Sequence, residues 1–309
     1  MGVFFSFALA GAIAQFIDGT LGMGFGVTSS TVLIFLGATP VAASSSVYFA
    51  TIGTSLSSGI AHWREGNVDK VVLTRLAIPG AIGAFAGATV LTRISTESAR
   101  GYMSTLLFLL GIVLIIRFGF GMRIVKPVKG RPRGYILSSL GGFAGFVTAS
   151  GGGGWGPITT PTLLTLTKTH PRFVIGTVSA AEFLVAIAAS AGFITAFVTN
   201  PNNNNKIDLV VVGGLLLGGV LMAPFAAKLS GRLPHAPLGV IVGGLVLLLN
   251  GRTILASLGL SGAFVELSYL AFILIFTAIL AYRAWQKEKV EHTPHRPEDF
   301  AGPEKDLTE

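Results

Sequence analysis

Two glycine-rich segments of similar sequence lie far apart in the chain, each between apolar runs. The first is DGTLGMGFGVTSST at positions 18–31, and the second is TASGGGGWGPITTP at positions 148–161. Their glycines and their aromatic residue recur at a constant offset of 130 positions, so that Phe25 matches Trp155. A glycine inside a helix costs about 1 kcal/mol relative to alanine, and its bare backbone suits broken or closely approached structure. We therefore predict that each segment interrupts a helix, and that the chain is a duplication with one break in each half.

The composition indicates what surrounds these breaks. Of the 309 residues, 51% are hydrophobic and only 12% are charged, and the mean hydropathy is +0.72. A water-soluble fold of this composition would lack polar surface, so we predict an all-α, polytopic integral membrane protein. The chain has no cysteine, which excludes disulfides, thiolate metal sites and cysteine nucleophiles. We expect neither a metal nor a cofactor.

The apolar runs follow one another in the same order in both halves. An additional apolar run, 265–285, precedes a hydrophilic tail with three prolines that we expect to be disordered. The predicted parts are a first membrane repeat (1–122), a basic cytoplasmic connector (123–134), a second membrane repeat (135–252), an additional transmembrane helix (253–286) and a disordered cytoplasmic tail (287–309).

The distribution of Lys and Arg predicts that the two repeats are inverted. If each repeat crosses the membrane an odd number of times, matching loops lie on opposite sides. With the connector and the C-terminus in the cytoplasm, all but four of the 22 Lys and Arg residues lie inside, as the positive-inside rule requires. This asymmetry also explains the net charge of +8 without nucleic acid as a partner. The four outer residues are Arg93, Arg100, Lys206 and Arg252.

The apolar runs beside each break are short for a span of about 20 residues. They form either broken crossings, which gives eleven crossings in all, or hairpins that dip in and return, which gives seven crossings plus two hairpins. We favour short, broken helices. Irregular backbone at membrane depth is tolerated only where it is buried in protein or lines a polar cavity, and paired, Gly-interrupted segments in two halves point to the substrate site of a transporter.

Several segments resemble the TauE/SafE (TSUP) family of membrane proteins. They are the two breaks, FIDGTLGMGFG and FVTASGGGGWGP, the segment ATPVAASSSVYFATIGTS, and HWREGNVD in the next loop. The resemblance covers roughly positions 11–252. Its members are regarded as exporters of sulfite and other sulfur-containing anions, so it implies a multi-pass transporter of the cell (inner or plasma) membrane that exports a small anion. The resemblance implies a sulfur oxyanion or organosulfonate and leaves the particular anion open.

A helix that begins at a glycine break suits an anion without any Lys or Arg in the membrane. Its unpaired N–H groups and its dipole both favour negative charge. Hydroxyl side chains after each break add donors, although small hydroxyl residues also let helices pack closely in lipid. The predicted substrate-binding residues are Gly22, Gly24, Gly26, Thr28 and Ser29 at the first break and Gly152, Gly153, Gly154, Gly156, Thr159 and Thr160 at the second.

Two acidic residues in apolar runs are candidates for proton coupling. Asp18 stands at the first break, where its carboxylate has three roles open to it: capping the following half-helix, coordinating a cation or binding a proton. Its counterpart in the second half is Thr148. Glu182 lies inside the long run 173–198, and a carboxylate at that depth is costly and by default functional. The alternative for Glu182 is a neutral, hydrogen-bonded residue that holds two helices together.

Other functions fit the sequence less well. An anion channel would use similar glycine breaks without a coupling carboxylate, and a non-transport subunit of a larger membrane complex would carry histidine pairs within its spans. An enzyme is not expected, because neither HExxH nor GxSxG occurs. We expect a small anionic substrate, the lipid bilayer and the proton as partners, and leave a homo-oligomer open.

Overall fold

The structure is all-helical in its described part, as the composition predicts. It is a computed structural model. The described residues are 2–21, 23–121, 131–167, 169, 171–199, 207–230, 234–260 and 262–291. The helices are α1 (Gly2–Leu21), α2 (Phe25–Phe35), α3 (Pro40–Arg64), α4 (Lys70–Arg93), α5 (Thr96–Phe120), α6 (Gly134–Gly151), α7 (Trp155–Leu166), α8 (Pro171–Thr199), α9 (Leu209–Ser230), α10 (His235–Ser257) and α11 (Ala263–Glu291).

Both glycine segments interrupt helices, as predicted. Gly24 precedes α2 with φ 126° and ψ −6°, and Gly154 precedes α7 with φ 128° and ψ −3°. These torsions are open to glycine and strained for other residues. The two breaks therefore share one backbone conformation as well as one sequence pattern.

The helices that follow the breaks are too short to cross a bilayer. The 11 residues of α2 extend about 17 Å, and the 12 residues of α7 extend about 18 Å, whereas the hydrocarbon core is about 30 Å thick. Six other helices in the described part are long and apolar enough to span a membrane. The chain is thus a polytopic helical membrane protein with two half-helices, each beginning at a glycine break.

The packing of the helices obeys a two-fold relation between α1–α5 and α6–α10. The first helix of each repeat packs against the fourth helix of the other, since α1 contacts α9 and α6 contacts α4. The third helices, α3 and α8, pack against each other, as do the fifth helices, α5 and α10. The first helix of each repeat is therefore packed into the other repeat, so that the two repeats are intertwined. The eleventh helix has only 11% of its span buried and packs on α10 and α5 at the periphery.

Glycines allow the backbones of α4 and α6, and those of α1 and α9, to approach each other closely. A Cβ on Gly145 of α6 would overlap the carbonyl oxygen of Gly80 in α4, and a Cβ on Gly218 of α9 would overlap that of Ala8 in α1. Small residues allow this approach between helices in lipid, where no hydrophobic force drives them together.

Two apolar cores meet at the breaks. One is formed mainly by α4, α6, α7 and α8 and contains Trp155. The other is formed mainly by α1, α2, α3, α5, α9 and α10 and contains Phe25. Phe25 is 3% exposed and Trp155 is 2% exposed. The matched aromatic residues of the two repeats thus fix the two half-helices in different cores, with the glycine segments on the boundary between them.

Candidate functional site

The two breaks contact each other through their backbones. A Cβ on Gly26 would lie 3.1 Å from the Cα of Gly153, and a Cβ on Gly156 would lie 2.8 Å from the Cβ of Met23. Gly26 corresponds to Gly156, and Met23 to Gly153, at the offset of 130 positions. The contact is therefore reciprocal, and the two-fold relation of the repeats passes through it.

A small cavity lies where the breaks cross. Its volume is about 10 Å³, which is the space of about one water molecule. Eleven of the lining residues belong to the breaks or to α3, which faces them, and Glu182 of α8 also lines it. The lining residues are Gly24, Gly26, Val47, Tyr48, Thr51, Thr148, Gly153, Gly154, Trp155, Gly156, Pro157 and Glu182. No Lys or Arg is among them.

Glu182 is held in the middle of α8 with its carboxyl group at this cavity. No hydrogen bond or ion pair to Glu182 occurs among the described residues. Tyr48 of α3 and Thr148 of α6 line the same cavity. The carboxyl group of Glu182 thus lies beside the second break.

Asp18 caps the half-helix that follows it. Its Oδ1 accepts a hydrogen bond from the N–H of Phe25, the first residue of α2, at 3.2 Å. Asp18 lies in the last turn of α1, and its carboxylate spans the break to the start of α2. Of the three roles that the sequence leaves open for Asp18, helix capping is therefore the one that the geometry displays.

The C-terminal carbonyls of α6 are bonded by groups from both repeats. The hydroxyl of Ser30 donates to the carbonyl of Gly152, and that of Ser44 donates to the carbonyl of Ala149 at 2.8 Å. The N–H groups of Gly152 and Gly153 both donate to the carbonyl of Thr148. Hydroxyl residues of the first repeat thus stabilise the break of the second.

Four buried hydroxyl groups near the breaks have no hydrogen-bond partner in the described part of the chain. Each of their side chains is at most 2% exposed. Thr159, by contrast, donates to the carbonyl of Trp155 in its own helix. The four unpartnered groups belong to Thr28, Ser29, Thr148 and Thr160. Buried donors are normally paired, so these four groups are unused hydrogen-bond donors, and that of Thr148 lines the cavity.

Trp155 connects the second break to α8. Its Nε1 donates to the carbonyl of Val178 at 3.1 Å, one turn before Glu182. The ring fits because Gly80 has no side chain, since a Cβ there would lie 2.8 Å from Cη2 of the ring. This hydrogen bond therefore connects the start of α7 to the turn of α8 that precedes Glu182.

Five of the eleven predicted substrate-binding residues line the cavity, as does the coupling candidate Glu182. Gly152 ends α6 with φ 78°, and Thr28, Ser29, Thr159 and Thr160 lie in the first turns of the half-helices. Gly22 lies outside the described residues. Tyr48 and Thr51 also line the cavity and were not predicted. Thr51 aligns with Glu182, and Tyr48 lies one turn before Thr51 on the same face of α3. The five cavity residues are Gly24, Gly26, Gly153, Gly154 and Gly156.

A polar cluster joins the repeats away from the cavity. Asp69 caps α4 through the N–H groups of Val71 and Val72, and its Oδ2 accepts from Nε of Arg131 at 2.7 Å. The N–H of Asp69 donates to Oγ1 of Thr177 in α8 at 2.9 Å. Partial burial raises the pKa of Asp69, but the hydrogen bonds from Arg131 and the two N–H groups outweigh this and hold the pKa below its usual value.

Comparison with known proteins identifies relatives of the chain. The chain is 42% identical over 250 residues, 81% of its length and 82% of the relative's, to a Bacillus subtilis (strain 168) protein named "Probable membrane transporter protein YtnM". It is 26% identical over 237 residues, 74% of its length and 90% of the relative's, to the same organism's "Probable membrane transporter protein YdhB". No solved structure matches. The family model described as "Sulfite exporter TauE/SafE" matches residues 7–253, and the chain belongs to this family of membrane transporters.

Proposed function

We propose that this protein is a secondary transporter that moves a small anion, a sulfur oxyanion such as sulfite or an organosulfonate, out of the cytoplasm. The observation that carries the proposal is the cavity at the crossing of the two breaks, which is lined by glycine backbone and by Glu182. Half-helix N-termini attract negative charge. An anion at this place needs no cationic side chain, and none lines the cavity.

The cavity is smaller than the proposed substrate. A volume of about 10 Å³ leaves no room for a sulfur oxyanion, as is expected of a carrier between its two open states. Substrate therefore requires the boundary between the two apolar cores to open, first on one side and then on the other. The intertwined repeats suit such rocking, because each core contains helices from both repeats.

Glu182 is the proposed proton carrier. A carboxylate about 4 Å from a bound anion would repel it by about 4 kcal/mol even at an effective dielectric constant of about 20. A proton on Glu182 removes this repulsion. Asp18 is the less suitable carrier, because its hydrogen bond from Phe25 and the dipole of α2 both stabilise its charged form. The anion and a proton on Glu182 then occupy the site together.

Cotransport with a proton determines the energetics of export. An anion that leaves alone gains about 2.3 kcal/mol per charge for each 100 mV of inside-negative potential. A monovalent anion that leaves with a proton carries no net charge and gains nothing from the potential. Export then requires an anion concentration in the cytoplasm that outweighs an opposing pH gradient, at a factor of about ten per pH unit.

Flux of radiolabelled sulfite from proteoliposomes tests the proposal. We expect saturable sulfite flux that depends on an imposed pH gradient. At a pH where the monovalent hydrogensulfite ion predominates, this flux should not change when valinomycin and potassium set the membrane potential. Flux that follows the potential at constant pH and does not saturate would indicate a channel. Absence of flux with sulfite, thiosulfate and taurine would contradict the proposed class of substrate.

A further inference from the structure

We propose that the two breaks are not equivalent, and that one anion binds per chain, at the N-terminus of α7, while the carboxylate of Asp18 takes the corresponding place at the N-terminus of α2. The inference rests on the proposed function, and it gives the substrate a location and a stoichiometry.

The first repeat already holds a negative charge at the start of its half-helix. The carboxylate of Asp18 accepts from the N–H of Phe25, the first free donor of α2. A carboxylate in this position satisfies an unpaired N–H group and complements the helix dipole. Asp18 is thus an anion that is covalently tethered to the protein, and a second anion at α2 would meet a like charge.

The second repeat has the same backbone without the carboxylate. Thr148 stands where Asp18 stands, and Trp155 stands where Phe25 stands, at the same offset of 130 positions. The torsions at Gly154 match those at Gly24 within a few degrees. Among the described residues, no side chain accepts a hydrogen bond from the N–H of Trp155 or of Gly156. The difference between the breaks therefore lies in one side chain and not in the path of the backbone.

An unused donor points to the same place. Thr148 is fully buried at 0% exposure, lines the cavity, and its Oγ1 has no hydrogen-bond partner in the described part of the chain. The hydroxyl of Tyr48 comes near it without reaching ordinary hydrogen-bond geometry. A Cβ on Gly154 would lie 3.6 Å from this Oγ1. The hydroxyl of Thr148 and the N–H groups of Trp155 and Gly156 thus offer donors from two sides of one position.

The test is to give the second repeat the residue of the first. In Thr148→Asp, the new carboxylate should accept from the N–H of Trp155, as Asp18 does from Phe25, and occupy the anion's place. We expect sulfite affinity to fall about 100-fold, the scale of a like charge in a buried site. The unliganded variant should unfold at a temperature no lower than the wild type, because it caps α7, and sulfite should no longer raise that temperature.

Two variants are the controls. Thr148→Asn has the size of aspartate without the charge, and we expect it to lose much less affinity than Thr148→Asp. Thr74→Asp places a carboxylate on the exposed face of the first turns of α4, away from the cavity, and should bind sulfite as the wild type does. Calorimetry of the purified wild type should give one sulfite per chain.

Each contrary result has a distinct meaning. Two sulfite ions per wild-type chain, equal losses in the aspartate and asparagine variants, unchanged binding by Thr148→Asp, or a lower unfolding temperature for it would each overturn the single-site assignment. Failure of the wild type to bind sulfite, thiosulfate or taurine would contradict the proposed substrate class instead.

Discussion

Gly153 lies against the backbone of Gly26, so closely that a Cβ on Gly153 would be 2.5 Å from the carbonyl carbon of Gly26. The contact joins the two repeats at the cavity, and Gly153 has a φ of 158°. No other residue type fits this position without moving one break away from the other. The crossing of the breaks therefore depends on glycine at both positions.

Substitution of Gly153 by valine should abolish sulfite transport while leaving membrane insertion largely intact. Overpacking in a close contact costs about 1–3 kcal/mol, and here it separates the walls of the site. Flux in proteoliposomes and size-exclusion chromatography of the purified variant measure the two effects. The control is Gly101→Val, because a Cβ at Gly101 would have no heavy atom within 4 Å. Equal damage in the two variants would mean that the breaks have no special role.

Glu182→Gln should uncouple sulfite transport from the proton. The amide keeps the shape of the side chain, so sulfite binding and exchange of labelled for unlabelled sulfite should persist. In a gradient of one pH unit, the wild type should accumulate the anion about tenfold for each proton carried, and the variant should not accumulate it. Glu97→Gln, an exposed carboxyl change outside the cavity, is the control. Full accumulation by Glu182→Gln would show that the carboxyl group is structural.

The inverted arrangement of the repeats predicts the side on which three loops lie. We expect the connector and the C-terminus in the cytoplasm and the Asn-rich loop 202–205 outside. Reporter fusions at Gly130, Asn203 and Glu309, all outside the described residues, measure this directly. A periplasmic signal at Gly130 would contradict the inverted arrangement.

Asp69 should stabilise the protein in a pH-dependent way. Its pKa is below the usual value in the folded state, so its contribution is complete above the unfolded-state pKa of about 4 and is lost as the pH falls through the lower, folded-state pKa. Removal of an N-cap costs about 1 kcal/mol, which is the loss that we expect for Asp69→Ala at pH 7. The unfolding temperatures of the wild type and Asp69→Ala should converge on acidification. Arg131→Gln should have the smaller effect at pH 7, because it leaves the cap in place.

The sequence predicts the breaks well because their cause is local. A run of glycines disfavours a helix wherever it stands, and the repeated Gly-aromatic-Gly pattern around Phe25 and Trp155 identifies equivalent positions. The helical membrane class follows from composition alone. The exact end of α1 does not follow from the sequence. The helix continues through Asp18 to Leu21, inside the segment that is predicted to interrupt it.

The partners of the breaks could not be predicted in this way. Nothing in the periodicity of α1 indicates that it packs on α9, since apolar residues surround a helix in lipid on every side. Tyr48 reaches the cavity only because α3 crosses α8 there. The hydrogen bond from Phe25 to Asp18 depends on a turn whose direction only the fold determines.

The hydrogen bonds of Ser30 and Ser44 bear on which charges the protein rejects. They cover the carbonyls of Gly152 and Ala149, and the carbonyl of Thr148 is covered by two N–H groups. These are oxygen atoms of the kind that would otherwise coordinate a sodium or potassium ion. At the start of α7, by contrast, the N–H groups have no side-chain acceptor in the part of the chain that the structure describes. Under the proposed function, selection between ions of opposite sign then depends on which ends of the broken helices are left unbonded, and it needs no charged filter.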